Sequence, residues 1–203
     1  MIRNISTSEV LYETGREGAA WRVVSGSVRL DRKTPEGDAG FASLAIRGDI
    51  IGAETMLFGA YSFTATALSP CTLTSWPERE GSPAPAGDLL KTLIFAERRA
   101  AEVIALRYGQ AAERVKRLVM LLAAPGADCA GSVHVPLQVT LPPRQDMADI
   151  TALTLETVSR MVSGLRRSGV LSPTTDNGAV SGNRFSLGSG KIDYLFDTQE
   201  SLR

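Results

Sequence analysis

Residues 154–160 read TLETVSR, and this stretch places Glu156, Ser159 and Arg160 on one face of a short helix, at spacings of three and four. Thr154 suits the N-cap, Thr157 follows three residues on, and Glu156 in the first turn favours the positive end of the helix dipole. Upstream, 144–150 (RQDMADI) reads as a second short helix, and 151–153 is a connector of the length a helix-turn-helix uses. Downstream, Met161, Val162, Leu165 and Val170 or Leu171 supply an apolar side while Arg166 and Arg167 face out. Two helices at a steep angle, the second carrying Glu, Ser and Arg forward, can present hydrogen-bonding side chains to base edges in a DNA major groove.

The longer run 141–171, LPPRQDMADITALTLETVSRMVSGLRRSGVL, resembles the helix-turn-helix of the CRP/FNR family of bacterial transcription regulators, and LTLETVSR is especially similar to its FNR and FixK-like branch. The resemblance implies an α+β chain: an N-terminal β-roll of the cyclic-nucleotide-binding, jelly-roll kind, a long dimerisation helix and a C-terminal winged helix-turn-helix. The boundaries it suggests are 1–86 for the β-roll sensor domain, 87–109 for the dimerisation helix and hinge, and 110–203 for the DNA-binding domain. It also implies double-stranded DNA, a second copy of the chain and RNA polymerase as partners. The run departs from the family pattern in four places: Ala152 stands where the turn usually has Gly, Thr151 before it replaces a large apolar residue, Leu155 precedes Glu156 where cyclic-AMP receptors carry Arg, and Pro142 and Pro143 replace the usual Ser or Thr cap.

A chain of 203 residues accommodates two small domains with separate cores. No apolar run reaches membrane-spanning length, and no basic region followed by an apolar stretch opens the chain; a cytoplasmic protein is expected. The two cysteines, Cys71 and Cys129, are far apart, which fits a reducing compartment. There are 22 basic and 22 acidic residues, divided 12 to 13 over 1–109 and 10 to 9 over 110–203. With so even a balance, local placement of arginine, not a basic field, must carry any affinity for DNA.

The first 78 residues read as β. Runs at 21–24, 27–30, 41–46 and 64–76 are rich in Val, Ile, Thr and aromatics and are separated by Gly, Asp, Pro and Ser. GSVRL at 26–30 and RGDIIG at 47–52 resemble the family's β-roll turns. In relatives that bind cyclic AMP, an Arg followed by Ser or Thr holds the cyclic phosphate. Here Glu54 survives at a shifted position, and Phe63 stands in the Arg position ahead of Thr64. A partly buried phosphate needs a fixed cation or several amide donors; Phe63 supplies neither, although Arg47 or Arg22 could reach in from another strand. The tentative effector pocket is therefore Glu54, Phe63 and Thr64, with cyclic AMP disfavoured, the effector unknown and no cofactor expected.

An iron-sulfur cluster would need four cysteine ligands, and the chain has two cysteines. His134 is the single histidine and reads as a surface or locally bonded residue, not a haem ligand. Cys71 lies in a strand-like run (70–74) and reads as a small core residue. One His and two distant Cys build neither a catalytic triad nor a metal site, so an enzyme is not expected.

From Gly87 the period changes. Leu90, Ile94, Glu97, Ala101, Ile104 and Tyr108 recur at alternating four and three, a coiled-coil seam with one polar member. Leu93, Ala100 and Val103 lie beside it as a second apolar stripe, so that one face can pack inward while the other meets a second copy. Residues 83–87 (PAPAG) read as a stiff linker and 108–110 as the hinge. Beyond it, 111–124 reads as a helix burying Val115, Leu118, Val119 and Leu122; 132–141 as a strand pair; and 170–171 with 184–187 as the strands of a wing, joined by a turn at 176–178. Ile192, Tyr194 and Leu195 suggest a short closing helix.

For recognition, Arg160 is expected to donate to O6 and N7 of a guanine, Glu156 to accept from a cytosine N4 amine, and Ser159 to add a hydrogen bond or contact a thymine methyl. Resemblance to the FNR-like branch implies a TTGA-type inverted repeat. Arg144, Thr157, Arg166, Arg167 and Arg184 are the expected phosphate contacts. The alternative is a ligand-gated sensor whose β-roll holds a metabolite or haem and which binds DNA only when loaded.

Overall fold

The computed structural model describes residues 1–33, 37–77, 86–125, 137–176 and 179–188. Two compact units divide the chain, 1–105 and 106–203. No helix among the described residues is long and apolar enough to cross a membrane.

The first unit is a sandwich of two antiparallel sheets. Strands β1 (Ile2–Ile5), β8 (Cys71–Trp76), β3 (Ala20–Ser25) and β6 (Ile50–Ile51) form one in that order; β2 (Val10–Tyr12), β7 (Thr64–Ala67), β4 (Ser27–Lys33) and β5 (Ala39–Ile46) form the other. Alternation explains the packing. Ala65 and Ala67 of β7 are buried while Thr64 and Thr66 are not, and Val28 of β4 meets Ala67 across the ladder. The inner faces close over Ile5, Leu11, Tyr12, Trp21, Val23, Val28, Ile51, Tyr61 and Leu73. Gly26, at φ +87°, makes the turn between β3 and β4, and a Cβ there would lie 2.4 Å from the Pro70 carbonyl.

The expected run at 64–76 is two strands, because residues 68–70 turn the chain from one sheet to the other. Strands β1 and β2 add to the β regions expected from the sequence; at four and three residues they are too short to show a period.

Between β6 and β7 lies α1 (Thr55–Phe58), and the unit ends with α2 (Ala86–Ala105). Two expectations for this helix are corrected. Tyr108 is not part of the helical seam: α2 stops at Ala105, and Gly109 at φ +89° turns the chain. Leu93 and Ala100 do not pack inward; both are exposed, and of the second stripe Val103 alone is buried. The helix is held to its sheet by polar and apolar groups near its C-terminal end, where Arg99 Nε donates to Asp49 Oδ2 at 2.8 Å and Val103 is buried.

The second unit contains α3 (Ala111–Leu122), α4 (Arg144–Thr151) and α5 (Leu155–Arg167), with a sheet ordered β11 (Leu171–Asp176), β12 (Ala179–Leu187), β10 (Leu137–Thr140), β9 (Ala124–Pro125). Its core comprises Val115, Leu118, Val119, Val139, Met147, Ile150, Val158, Val162, Leu171, Phe185 and Leu187. Leu122 is half-buried. The wing strands run longer than expected, since β11 continues to Asp176 and β12 begins at Ala179. Cross-strand pairing such as Ser172 with Ser186 supports polar stretches that lack strand composition. The closing helix around Tyr194, His134, Cys129, part of the strand pair at 132–141, Pro83 and Pro85 of the linker and the tip of the wing turn lie outside the described residues.

Candidate nucleic-acid interface

Helix α5 starts where local chemistry says it should. Thr154 adopts an extended backbone and its Oγ1 accepts from the Thr157 N–H at 3.2 Å, while its hydroxyl donates to Thr157 Oγ1 at 2.9 Å. Val158 and Val162, four apart, are buried against the rest of the unit. Glu156 and Arg160, also four apart but offset by two positions, are therefore exposed, with Ser159 half-buried beside them. Neither the Glu156 nor the Arg160 side chain makes a hydrogen bond or ion pair with another described residue. Leu155, at the first helical position, is 47 % exposed, which leaves an apolar side chain next to Glu156 on the solvent side.

The turn before α5 uses Ala152 at φ 52°, ψ 47°, a left-handed position usually left to Gly or Asn. Surrounding bonds hold it: Leu153 N–H donates to Ala148 O at 3.0 Å, and Thr151 Oγ1 donates to Met147 O at 2.6 Å. Pro143 takes the N-cap of α4, where the missing N–H costs nothing and no side chain caps the helix. Ala at the turn and Pro at the cap, the departures visible in the sequence, thus leave the two-helix geometry intact.

The expected phosphate contacts fall into two groups. Arg166 and Arg167 are exposed at the end of α5, where Arg166 lies 5.7 Å over the Phe185 ring and both line an open cleft with Ser163, Leu171 and Pro173. Arg144, half-buried, donates from Nη1 to Met147 Sδ at 3.4 Å; burial first, and the nearby Arg166 charge second, lower its pKa. Arg184 and Thr157 are already engaged within the fold: Arg184 Nη2 donates to Gln138 Oε1 at 2.7 Å, and Thr157 completes the cap.

The tentative effector residues are tied into the surrounding loops and strands. Glu54 Oε1 accepts from Ser62 N–H at 3.1 Å, closing the loop that contains α1, and Thr64 Oγ1 accepts from Thr14 N–H at 3.1 Å. Phe63 is half-buried and Arg47 is exposed. The open cleft of about 500 Å³ in this unit is lined by Arg3, Tyr12, Glu13, Arg16, Trp21 and Tyr61 among others, not by Glu54, Phe63 or Thr64. Tyr61 stacks on Tyr12 with ring centroids 3.7 Å apart and donates to Ala19 O at 2.7 Å. Its ring passes so close to Gly52 that a Cβ there would lie 2.7 Å away. Burial raises the pKa of both phenols, and the Glu54 carboxylate adds to the rise, so both stay protonated at neutral pH. The Tyr12 hydroxyl is buried and finds no hydrogen-bond partner among the described residues. Nothing in the sequence singled out this aromatic pair, because its members are separated by most of the sandwich. Cys71 is a core residue: its thiol donates to the carbonyls of Ser27 and Ser69 at 3.3 and 3.1 Å, and burial pushes its pKa up.

Leu90, Ile94 and Ile104 of the proposed seam are 58 %, 53 % and 58 % exposed, and Glu97 and Ala101 are exposed between them. Tyr108, in the turn past the helix, is exposed as well.

Known proteins match both units. Residues 2–80 fit the model of the cyclic nucleotide-binding domain and residues 143–171 that of the crp family of bacterial regulatory proteins. The nitrogen fixation regulation protein FixK of Azorhizobium caulinodans is 34 % identical over 157 residues, 74 % of this chain and 62 % of that protein. The transcriptional activator protein FnrL of Cereibacter sphaeroides is 32 % identical over 156 residues, 73 % of this chain and 63 % of that protein. The aligned chain thus spans a little under two thirds of these relatives. Among solved structures, a CRP-family transcriptional regulator of Thermus thermophilus superposes with a TM-score of 0.67 at 23 % identity, covering 96 % of this chain and 95 % of the other. FixK2 from Bradyrhizobium japonicum superposes with a TM-score of 0.63 at 22 % identity, covering 96 % of both chains. At such identities the superpositions establish the fold.

Proposed function

This chain belongs to the CRP/FNR family of bacterial transcription regulators, and we propose from that premise that it is a homodimeric, sequence-specific DNA-binding regulator acting in the cytoplasm. The observation that carries the proposal is the exposed, unpartnered face of α5, with Glu156, Ser159 and Arg160 presented on a helix whose opposite face is locked by Val158 and Val162. Arg160 donates to O6 and N7 of a guanine, Glu156 accepts from a cytosine amine, and Ser159 contacts the neighbouring base. Arg144, Arg166 and Arg167 hold phosphates, with Arg184 and Thr157 supporting them at the wing and the helix start. The half-site is TTGA-like, arranged as an inverted repeat because a two-fold dimer presents two α5 helices.

Dimerisation uses α2. Leu90, Ile94 and Ile104 form an exposed apolar stripe, interrupted by Glu97 and Ala101, that a second copy would cover, and Tyr108 follows it in the chain. RNA polymerase is the partner through which DNA binding reaches transcription. Cyclic AMP is disfavoured as the effector: Phe63 offers its phosphate no donor, and Glu54 Oε1 and Thr64 Oγ1 already accept from the Ser62 and Thr14 amides. A second reading, in which a small metabolite loads the β-roll before DNA is bound, is favoured by the partnerless Tyr12 hydroxyl beside the cleft at Tyr61.

The test is fluorescence anisotropy of the ligand-free protein with a labelled duplex carrying a TTGA-type inverted repeat, against a scrambled duplex. Tight binding to the first alone establishes an effector-independent regulator. Equal, weak binding to both removes the effector-independent reading and sends the search to the Tyr12 cleft.

A further inference from the structure

The last four carbonyls of an α-helix have no partner inside it. In α4 they belong to Ala148, Asp149, Ile150 and Thr151. The turn meets the first two, with Leu153 N–H donating to Ala148 O at 3.0 Å and Ala152 N–H to Asp149 O at 3.4 Å. The other two are met from a distant part of the unit. Arg107 donates from Nε to Ile150 O at 3.4 Å and from Nη2 to Asp149 O at 3.2 Å, and Arg114 donates from Nη1 to Thr151 O at 3.3 Å. With the guanidiniums in place Ile150 and Thr151 are both 0 % exposed, so losing either arginine leaves a terminal carbonyl short of a donor. Two cations at this end also suit the negative pole of the helix.

The same arginines are tied to the backbone that precedes α3. Arg114 Nε donates to Gly109 O at 2.9 Å, and the neighbouring Arg117 Nη1 donates to Tyr108 O at 2.8 Å. A continuous path of hydrogen bonds therefore runs from residues 107–109 through two guanidiniums to the end of α4. There it meets Ala152, a non-glycine residue in a left-handed conformation that persists only where its surroundings hold it. Two residues later Thr154 begins α5.

We propose that Arg107 and Arg114 are positioning residues for DNA reading: by holding the terminal carbonyls of α4 they fix the turn that aims α5, and they make the specificity of α5 depend on the backbone at 107–114. The proposal rests on α5 being the base-contacting helix. Neither arginine needs to touch DNA for this role.

The experiment compares the full chain with Arg107→Ala, Arg114→Ala, Arg114→Lys and the charge-matched control Lys116→Ala, whose Nζ donates to Glu113 within α3. Affinities are measured for the TTGA-type and scrambled duplexes, and backbone amide exchange is followed across residues 150–160. The alanine variants at 107 and 114 are expected to lower the ratio of specific to scrambled affinity about tenfold or more, with scrambled affinity within about twofold of the parent. Lys116→Ala should keep the ratio, and Arg114→Lys, which retains a cation and donors, should recover part of it. The Leu153 amide should exchange about tenfold faster in both alanine variants, while amides in the middle of α5 keep their protection. An unchanged ratio overturns the proposal, as does an equal fall on both duplexes, which would mark ordinary phosphate contacts. If the parent protein does not discriminate between duplexes, the effector-independent reading fails and Leu153 exchange decides alone: unchanged exchange in the variants would overturn the hold on the turn. Should Arg114→Ala fail to fold, Arg107→Ala and Arg114→Lys decide the outcome by the same ratio.

Discussion

Helices α2 and α5 are both amphipathic, yet they spend their two faces in opposite ways. Helix α5 buries Val158 and Val162 within its own unit and leaves charged and polar side chains outside. Helix α2 keeps Arg99 on its own sheet through Asp49 and leaves Leu90, Leu93, Ile94 and Ile104 outside. An exposed polar face on a rigid support suits hydrogen-bonded recognition, whereas an exposed apolar face is stable only when a second surface covers it. Under the proposed function, that difference assigns nucleic acid to α5 and a second copy of the chain to α2.

The largest effect that can break this comparison is in the core beneath the reading helix. Met147, 0 % exposed in α4, should cost about 2–5 kcal/mol of unfolding free energy when replaced by Ala. Denaturant titration measures it, and a loss below about 1 kcal/mol would mean that the α4–α5 support is not rigid. Next comes Ile94→Ala. If a partner covers this side chain, each copy loses about 1.5–3 kcal/mol of association free energy, seen as a weakened dimer constant in sedimentation. A change within about 0.5 kcal/mol would mark a solvated side chain and remove the contrast.

Arg160→Ala should remove about 1–3 kcal/mol of discrimination between the inverted repeat and its scrambled form while sparing the salt-dependent, sequence-independent component. Anisotropy at several salt concentrations separates the two; a uniform loss on both duplexes would demote Arg160 to a phosphate contact. The smallest effect belongs to Thr154→Ala, expected to lower stability by about 1 kcal/mol through loss of the bond to the Thr157 amide. Thermal unfolding reads it, and an unchanged midpoint would show that the start of α5 is held by its neighbours and not by its cap.

What was legible in the sequence was legible for local reasons. Thr154, Glu156, Val158, Ser159, Arg160 and Val162 lie within nine residues, and a cap plus a helical period places them all. The α2 seam was equally visible from Leu90 to Ile104, but its end was not. Tyr108 matched the period while belonging to a turn, because periodicity does not register where Gly109 breaks the helix. The inward stripe through Leu93 and Ala100 failed because apolar residues on two adjacent faces do not say which face meets the sheet. Arg99 and Asp49 decided that, through an ion pair with side chains 15 % and 13 % exposed. In the β-roll, the loop from Glu54 to Thr64 was read against the family's ligand pocket, and neither Tyr12 nor Tyr61 entered that reading. Their stacking depends on how the loop folds over β2 and β3.

By itself the sequence determined the β-rich first half, the helical seam that follows it, and a capped helix presenting Glu156, Ser159 and Arg160. Those features follow from periodicities and capping patterns that span a few residues. Only the tertiary structure decided that Arg107 and Arg114 close the end of α4, that Tyr61 lies on Tyr12, and that Arg184 is held by Gln138. Each of these joins groups 37 to 49 residues apart in the chain. Contacts of that kind are selected by packing and by the need to satisfy buried polar atoms, and no local pattern encodes them.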